Sequence, residues 1–319
     1  MSDKSAIEWT DASWNPVTGC TKVSPGCANC YIERTPPFRM NGRKFERGTT
    51  GVMLHPERLD LPLRWKKPKR IFVNALSDLF HEHVLMAFIA EVFAVMALTP
   101  RHTYQVLTKR PERMLDVLGS RDFLSCMKAA TLYHEKALGK RMEQLGTPWA
   151  LPLPNVWLGV SVENQHWADI RIPLLLQTPA AVRWISAEPL LEAVDLRCRC
   201  GHAASQHYEY IRNGHDQPAC MACDPFAQRV ETVIGVDNDS YDAAMNEAMN
   251  HRLDIGLDWV VVGGESGPKR REMHFDWARS IVAQCRAAGT PVFVKQKSGP
   301  TPGMPSGDPD LDACKEMPK

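Results

Sequence analysis

The sequence predicts an α/β fold built from repeated strand–helix units, and three observations favour it. Short apolar runs rich in β-branched and aromatic residues recur along the chain, amphipathic stretches of helical length lie between them, and a polar cluster follows nearly every run. Continuous apolar runs are typical of parallel strands that are buried on both faces. Strands that alternate with helices in this way indicate a β/α barrel or an open doubly wound sheet.

Six segments predict the strands of this sheet. Each contains an apolar run, of which Val260-Val261-Val262 is typical, and continues into polar residues where the strand ends. The segments are RIFVNALSDLF (70–80), TYQVLTKRPERM (103–114), NVWLGVSVENQ (155–165), VRWISAEPLLE (182–192), LDWVVVGGESG (257–267) and TPVFVKQKSG (290–299).

The clearest helices are predicted at 85–98 and 276–289. The second closes at Gly289, a residue type that ends many helices. The segment 119–154 interrupts the alternation, because a basic piece with helical composition is followed there by a proline-rich stretch.

The domain organisation follows from a second interruption, at 197–256, which is rich in cysteine and then in acidic and polar residues. We expect a small module inserted at 197–256 into a β/α domain that comprises residues 1–196 and 257–300. The remaining residues, 301–319, are rich in Pro, Gly and Asp and predict a flexible tail.

The composition is that of an ordinary soluble protein. The chain has 319 residues, 44% of them hydrophobic and 24% charged, and its formal net charge of +1 excludes a strongly basic coat over the whole surface. No apolar run reaches the roughly 18 residues that a membrane span needs. The N-terminal residues do not resemble a secretory signal, so we expect a cytoplasmic protein with no membrane partner.

Polar clusters follow five of the predicted strands at the same point relative to the strand end. The carboxyl ends of parallel strands are where α/β barrels and sheets build their sites, so we expect these clusters to form one shared site. The clusters are Asn74 with Ser77 and Asp78, Thr108-Lys109-Arg110, Ser161 with Glu163 and Asn164, Ser186 with Glu188, and Gly263-Gly264-Glu265 with Ser266.

Three cysteines near the N-terminus, Cys20, Cys27 and Cys30, form a Cys-x6-Cys-x2-Cys motif with Tyr31 directly after it. In a reducing cytoplasm, clustered cysteines are more often metal ligands than disulfides. Three thiolates on one short loop can bind three irons of a 4Fe-4S cluster and leave the fourth iron open. The alternatives are a zinc site completed by a distant ligand, a Cys-x2-Cys redox pair, and purely structural cysteines.

A second cysteine group lies in the inserted module and predicts a structural Zn²⁺ site. Two thiolate pairs separated by a hairpin-sized stretch are a common way to close a tetrahedral zinc site. A histidine in place of one cysteine and a second iron–sulfur cluster are the alternatives. The predicted ligands are Cys198, Cys200, Cys220 and Cys223.

The first motif and its surroundings, IEWTDASWNPVTGCTKVSPGCANCY (7–31), resemble the opening of a phage-associated family known as three-Cys-motif proteins, whose function is unknown. The later segments SDLFHE, LTKRPERM, GVSVEN, SAEPLLE, VVGGESG and FVKQ resemble that family in the same order, so the resemblance covers about residues 7–299. The cysteine spacing also resembles a variant of the radical S-adenosylmethionine (SAM) motif.

A more distant similarity joins the chain to spore photoproduct lyase and its DNA repair photolyase-like relatives. Those proteins have a three-Cys loop, a strand with a Thr-Asp-Pro-like end and a strand with a Thr-Lys end. Ser77-Asp78 and Thr108-Lys109 occupy the corresponding places here. The first gap between cysteines is wider in this chain, which leaves the number of ligands unchanged but alters the loop.

These resemblances imply a partial (β/α) TIM-type barrel of the radical SAM kind. They also imply a 4Fe-4S cluster, SAM as a second cofactor, an electron donor as a partner, and a bacterial or phage-infected host cytoplasm. Such an enzyme generates a 5′-deoxyadenosyl radical that abstracts a hydrogen atom from its substrate. The phage and lyase likenesses imply a nucleobase, a nucleotide or DNA as that substrate.

The resemblance also implies a set of residues around SAM. Lys109 would pair with the methionyl carboxylate, which needs a cation, and the acidic and hydroxyl side chains would bind the amino group or the ribose. Two glycines would let the backbone approach the cofactor closely. The expected SAM-binding residues are Ser77, Asp78, Lys109, Ser161, Glu163, Asn164, Glu188, Gly263, Gly264 and Glu265.

Two classes of function therefore follow from the sequence. The first is a radical SAM enzyme, for which the sequence does not distinguish lyase, isomerase and transferase chemistry. The alternative is an iron–sulfur or zinc protein that binds nucleic acid in modification or repair without radical catalysis.

Overall fold

The structure is a computed structural model. It describes residues 5, 7–138, 151–196, 207–212, 215–220 and 256–318, with the backbone alone for 135–138, 207–212 and 215–220. No helix in these ranges is long and apolar enough to cross a membrane.

Most of the strands belong to one parallel sheet of seven strands. It has the spatial order β1-β4-β5-β6-β7-β10-β11, and the first and last strands do not pair with each other. The sheet is therefore a curled half-barrel, as expected of a partial β/α barrel. The strands are β1 (Ala12–Trp14), β2 (Val17–Thr18), β3 (Met53–Leu54), β4 (Arg70–Val73), β5 (Thr103–Thr108), β6 (Val156–Ser161), β7 (Val182–Ala187), β8 (His207–Arg212), β9 (His215–Cys220), β10 (Trp259–Gly263) and β11 (Val292–Gln296).

All six predicted strands are confirmed, as β4 to β7, β10 and β11. The seventh, β1, escapes prediction because its three residues are too few for a hydrophobic period to appear. It pairs in parallel with β4, so the chain that leaves its carboxyl end enters the cysteine motif. The short strands β2 and β3 pair separately in an antiparallel ribbon.

Helices pack against one face of the sheet. The helices predicted at 85–98 and 276–289 are confirmed, and the second ends at Gly289, which has a left-handed φ of 70°. The helices are α1 (Pro36–Met40), α2 (Leu61–Arg64), α3 (Met86–Ala97), α4 (Pro111–Gly119), α5 (Arg121–Leu138), α6 (Gln165–Gln177), α7 (Phe275–Ala288) and α8 (Pro309–Asp312).

Aromatic side chains fill the other face of the sheet. Trp9, Phe72, Trp184 and Trp259 are buried together there, and the ring centroids of Trp184 and Trp259 lie 5.3 Å apart. Gly159 makes room for them, because a Cβ at that position would lie 2.4 Å from the Trp184 ring. We call these five residues the aromatic plug. Since most of them precede the strand ends, the plug leaves the carboxyl end of the half-barrel as the place for polar groups.

The residues expected to form a flexible tail instead pack along the edge strand β11. The Val294 N–H donates to the Cys314 carbonyl at 2.8 Å, and Leu311 and Cys314 are buried. Their composition suggested flexibility, but these two apolar side chains anchor the segment to the core. The segment therefore covers an edge that would otherwise expose unpaired backbone groups.

The structure describes the inserted module only through the hairpin of β8 and β9. Its antiparallel register places His207 opposite Cys220. The other predicted zinc ligands, Cys198, Cys200 and Cys223, lie outside the described residues. The zinc site therefore stays a prediction.

Candidate functional site at the carboxyl end of the sheet

The cysteine motif forms a loop, residues 19–30, at the carboxyl end of the half-barrel. Gly19 begins the loop with a φ of 94° and pairs with Ser77, just beyond β4. A Cβ on Gly19 would lie 1.6 Å from the Gly51 carbonyl oxygen, so only glycine fits. The Cys20 N–H donates to Thr50 Oγ1 at 3.0 Å. These contacts place the first cysteine beside the polar residues that follow β4 and β5.

The three thiols of this loop are free and partly buried. Burial raises the pKa of Cys20 to about 12; the Asp78 carboxylate adds to this shift and the Arg110 guanidinium opposes it. Burial also raises the pKa of Cys30. The metal-free loop therefore carries neutral thiols at Cys20 and Cys30, and metal binding must displace their protons.

Zinc sites and iron–sulfur clusters need different spacings of their thiol ligands. Among the described residues, no three His, Cys, Asp or Glu side chains are gathered so that they could hold one metal ion. A zinc ion needs its sulfur ligands about 2.3 Å away and hence close to one another. A 4Fe-4S cluster instead binds each cysteine through a different iron, which needs a wider spacing. Thiols are the donors that both kinds of site use, so the cluster and the zinc alternative both stay predictions.

Asp78 and Arg110 tie the start of the loop to the ends of β4 and β5. Arg110 donates from Nη1 to Asp78 Oδ2 at 3.1 Å, and the same nitrogen lies 3.8 Å from Cys20 Sγ. Asp78 also accepts hydrogen bonds from the Thr108 hydroxyl at 2.7 Å and the Lys109 N–H at 3.0 Å. Both Asp78 oxygens are therefore occupied by protein donors.

Glu163, at the end of β6, holds the middle of the loop. Its Oε1 accepts the Gly26 N–H at 3.2 Å, and its Oε2 accepts Arg171 Nη1 at 2.8 Å. The Glu163 and Arg171 side chains are both fully buried. Arg171 also stacks over Trp167, with its guanidinium carbon 4.1 Å from the ring centroid. This is a buried ion pair of the kind that becomes costly when one partner is removed.

Glu265, which follows β10, holds the far side of the loop. Its Oε2 accepts Asn29 Nδ2 at 3.0 Å, and Arg271 donates to both of its oxygens. Arg271 also donates to the Pro25 carbonyl at 3.0 Å. Although burial opposes ionisation, these hydrogen bonds lower the pKa of Glu265. The carboxylate is therefore ionised at neutral pH and joins the loop to the sheet.

Lys109 differs from these residues because it has no carboxylate partner in the described part of the chain. Its Nζ donates to Ser161 Oγ at 3.0 Å, which is its one hydrogen bond there. Its charge is close enough to Cys30 to act on the pKa of that thiol. An ammonium group beside the cysteine loop with only a neutral partner can still bind an anion.

Glu188 pairs across the sheet with a residue that the predicted site lacks. Its Oε1 accepts Lys295 Nζ at 2.6 Å, and the two side chains remain 19% and 18% exposed. Gly263 permits this approach, since a Cβ there would lie 3.2 Å from the Glu188 carboxyl carbon. Lys295 could have been identified from the sequence, because it is a charged residue inside the apolar strand VFVKQ.

Three further residues of the predicted SAM-binding set also contact other parts of the protein. Asn164 caps α6 by accepting the Trp167 N–H, and Ser77 donates to the Val17 carbonyl at 2.9 Å. Gly264 is closely approached by protein backbone, since a Cβ there would lie 2.2 Å from the Ser298 nitrogen.

Arg171 and Arg271 contact the site but escape sequence reasoning. Arg171 lies inside α6, whose apolar residues are not segregated to one face, so no pattern marks it. Arg271 follows the Gly-Gly-Glu cluster in the basic run PKRRE, which is a weak signal. The roles of Arg171 and Arg271 become visible only in the structure, through the contacts that connect them to the cysteine loop.

Residues 4–304 match a family model that carries no assigned activity. Its description names neither radical chemistry nor a phage origin, so those parts of the resemblance stay predictions. No curated protein and no solved structure matches the chain. Because the match spans nearly the whole sequence, the chain belongs to the family described as "Protein of unknown function (DUF5131)".

Proposed function

We propose that this protein is a radical SAM iron–sulfur enzyme, with a 4Fe-4S cluster on Cys20, Cys27 and Cys30 and SAM bound beside it. The observation that carries the proposal is Lys109, an ammonium group without a carboxylate partner in the described ranges, next to a loop of three free thiols. A site that binds SAM through an open iron needs such a cation for the methionyl carboxylate. The open half-barrel supports the same assignment, since it resembles the partial barrel of radical SAM enzymes.

The protein's own contribution is to bind, orient and shield. When bound, the cluster and SAM supply a 5′-deoxyadenosyl radical at the cost of one electron from a donor protein. Lys109 would hold the carboxylate, and Ser161 would orient Lys109. Glu188, paired with Lys295, would accept hydrogen bonds from the amino group or the ribose. The aromatic plug would keep water away from the floor of the site.

The other carboxylates of the site take a supporting role in this proposal. The oxygens of Asp78, Glu163 and Glu265 already accept hydrogen bonds from protein donors. We therefore assign them to hold the cysteine loop against the ends of β4, β6 and β10 rather than to bind SAM.

Iron analysis after anaerobic reconstitution tests the cluster. The wild-type protein should bind about four irons per chain, and Cys20→Ala, Cys27→Ala and Cys30→Ala should each lose most of them. Cys126→Ala is the matched control, because Cys126 is also a free, partly buried cysteine but lies on α5. Full iron content in Cys27→Ala would overturn the proposal.

We also propose structural zinc at Cys198, Cys200, Cys220 and Cys223. The β8–β9 hairpin supports this, because a hairpin between the two cysteine pairs is the usual way to bring such pairs to one ion. Zinc content should fall in Cys220→Ala and remain in Cys126→Ala. Iron in place of zinc at this group would instead favour the second iron–sulfur cluster.

A further inference from the structure

Basic residues are frequent in two segments that overlap or contact the cysteine loop. Residues 22–47 and 268–272, which we call the basic collar, contain nine Lys and Arg residues against three Glu, in a chain whose formal net charge is +1. The collar therefore carries a formal charge of +6 on its part of the surface, while the remaining residues together carry −5. That surface lies at the carboxyl end of the sheet, where the candidate site is.

Hydrogen bonds attach the basic collar to the cysteine loop. Lys22 N–H donates to the Gly48 carbonyl at 2.8 Å, and Lys22 Nζ donates to the Ala28 carbonyl at 2.9 Å. On the other side, Asn29 donates to the Lys269 carbonyl at 2.7 Å. Positive charge on the collar is therefore placed around the entrance to the site.

Most of these cations have no carboxylate partner within the described residues. Ion pairs join Arg270 to Glu272 and Arg271 to Glu265, but none involves the other collar cations. Arg34 lies against Gly267, where a Cβ would be 2.4 Å from its Nη1. The collar cations that are both exposed and without an ion pair are Arg34, Arg39, Lys44, Arg47 and Lys269.

An exposed aromatic ring lies within this basic surface. Tyr31 directly follows Cys30, its side chain is 48% exposed, and its hydroxyl donates to the Ala75 carbonyl beyond β4. That hydrogen bond fixes the ring beside the entrance. An exposed, fixed aromatic ring in the same segment as unpaired arginines and lysines suits single-stranded nucleic acids, since bases stack on such a ring and phosphates bind the cations.

We propose that the basic collar and Tyr31 bind a single-stranded or locally unpaired nucleic acid and present one base to the site. An acidic protein would also be attracted to the cations, but it would not need the exposed ring. The inference rests on the proposed function for the identity of the reacting centre, whereas the binding itself requires no cluster.

Fluorescence anisotropy with a labelled single-stranded DNA oligonucleotide tests the proposal on the full chain. The logarithm of the binding constant should fall with the logarithm of salt concentration with a slope of about −2 to −4, as expected for three to five phosphate contacts. Arg39→Ala/Lys44→Ala should weaken binding about tenfold and reduce the slope by roughly 1.4. Lys66→Ala/Lys67→Ala is the matched control, because these exposed lysines precede β4 at the opposite end of the sheet.

Two further variants test the stacking role of Tyr31. Tyr31→Leu should weaken binding about tenfold, and Tyr31→Phe, which keeps the ring, should restore most of it. An RNA oligonucleotide in the same assay decides which sugar is preferred. Equal effects of the collar and control doubles, or tight binding of polyglutamate without binding of either oligonucleotide, would overturn the proposal.

The assay separates this inference from the proposed function. If oligonucleotide binding depends on the collar while SAM is not cleaved, the enzyme proposal fails and the nucleic-acid proposal stands. If SAM is cleaved but neither oligonucleotide binds, the nucleic-acid proposal fails and the enzyme proposal stands.

Discussion

At the residue scale, Lys109 is the group on which the proposed SAM binding depends most. Replacing it with Met keeps most of the length of the side chain but removes the cation, so SAM affinity should fall about tenfold because a charge-assisted hydrogen bond is lost. Calorimetric titration of SAM into the reconstituted protein measures this. The control is Lys315→Met: it removes a lysine that is paired with Glu8 on the segment beside β11, and it should weaken SAM binding less. Unchanged affinity in Lys109→Met would contradict the assignment.

A second residue-scale prediction concerns the buried pair of Glu163 and Arg171. Glu163→Ala should lower the free energy of unfolding by about 3–5 kcal/mol, because it leaves a buried guanidinium without its carboxylate. Glu8→Ala breaks an exposed pair with Lys315 and should cost less than about 1 kcal/mol. Denaturant unfolding of the metal-free proteins measures both. Similar losses of stability in the two variants would contradict the role described for the buried pair of Glu163 and Arg171.

At the element scale, the packing of β6 against β7 depends on a glycine in β6, at position 159. Gly159→Ala should destabilise the fold by about 1–3 kcal/mol, because the new Cβ would meet the Trp184 ring. Gly119→Ala is the matched control, since nothing lies within 4 Å of a Cβ at the end of α4. Thermal unfolding of both variants is the measurement, and a Gly159→Ala protein as stable as the control would contradict the packing described for the aromatic plug.

The free energy of unfolding should depend on pH through His102, which directly precedes β5. Its Nδ1 accepts the Lys69 N–H at 3.2 Å and its Nε2 donates to the Pro62 carbonyl at 3.1 Å, so the neutral ring satisfies both contacts. Burial lowers the pKa of His102. The unfolded chain therefore takes up a proton near pH 6.5 before the folded chain does, and the stability present above that pH falls as the pH drops toward the lowered folded value.

His102→Gln tests this dependence. The variant should lose stability at neutral pH, while its free energy of unfolding should change less than that of the wild type between about pH 6.5 and about pH 5. Denaturant titrations across this range measure the slope. A slope equal to that of the wild type would show that His102 does not contribute to it.

Most strands of the sheet, but not the position of the C-terminal segment, could be predicted from the sequence. The six long strands were predictable because each carries a continuous apolar run, and the polar ends of parallel strands meet by geometry. The packing of residues 301–319 against β11 was not predictable, because their composition favours disorder. Two buried side chains, Leu311 and Cys314, outweigh that composition.

At the scale of the whole molecule, the pairing of the charged residues could not be predicted. The Glu163 contact with the cysteine loop joins residues 137 apart in sequence, and the Glu265 contact with Asn29 spans 236 residues. No local pattern links such positions. The strand ends could therefore be brought together from the sequence, but the contacts of Glu163 and Glu265 with the cysteine loop, and of Asp78 with Arg110, could not.

The central claim is that the loop of Cys20, Cys27 and Cys30 supports reductive cleavage of SAM. The direct measurement is 5′-deoxyadenosine formed from SAM by the anaerobically reconstituted protein with a chemical reductant. We expect wild-type protein and Cys126→Ala to form it, Lys109→Met to form less at limiting SAM, and Cys27→Ala to form none. Absence of 5′-deoxyadenosine from wild-type protein with a full cluster, or its undiminished formation by Cys27→Ala, would contradict the account.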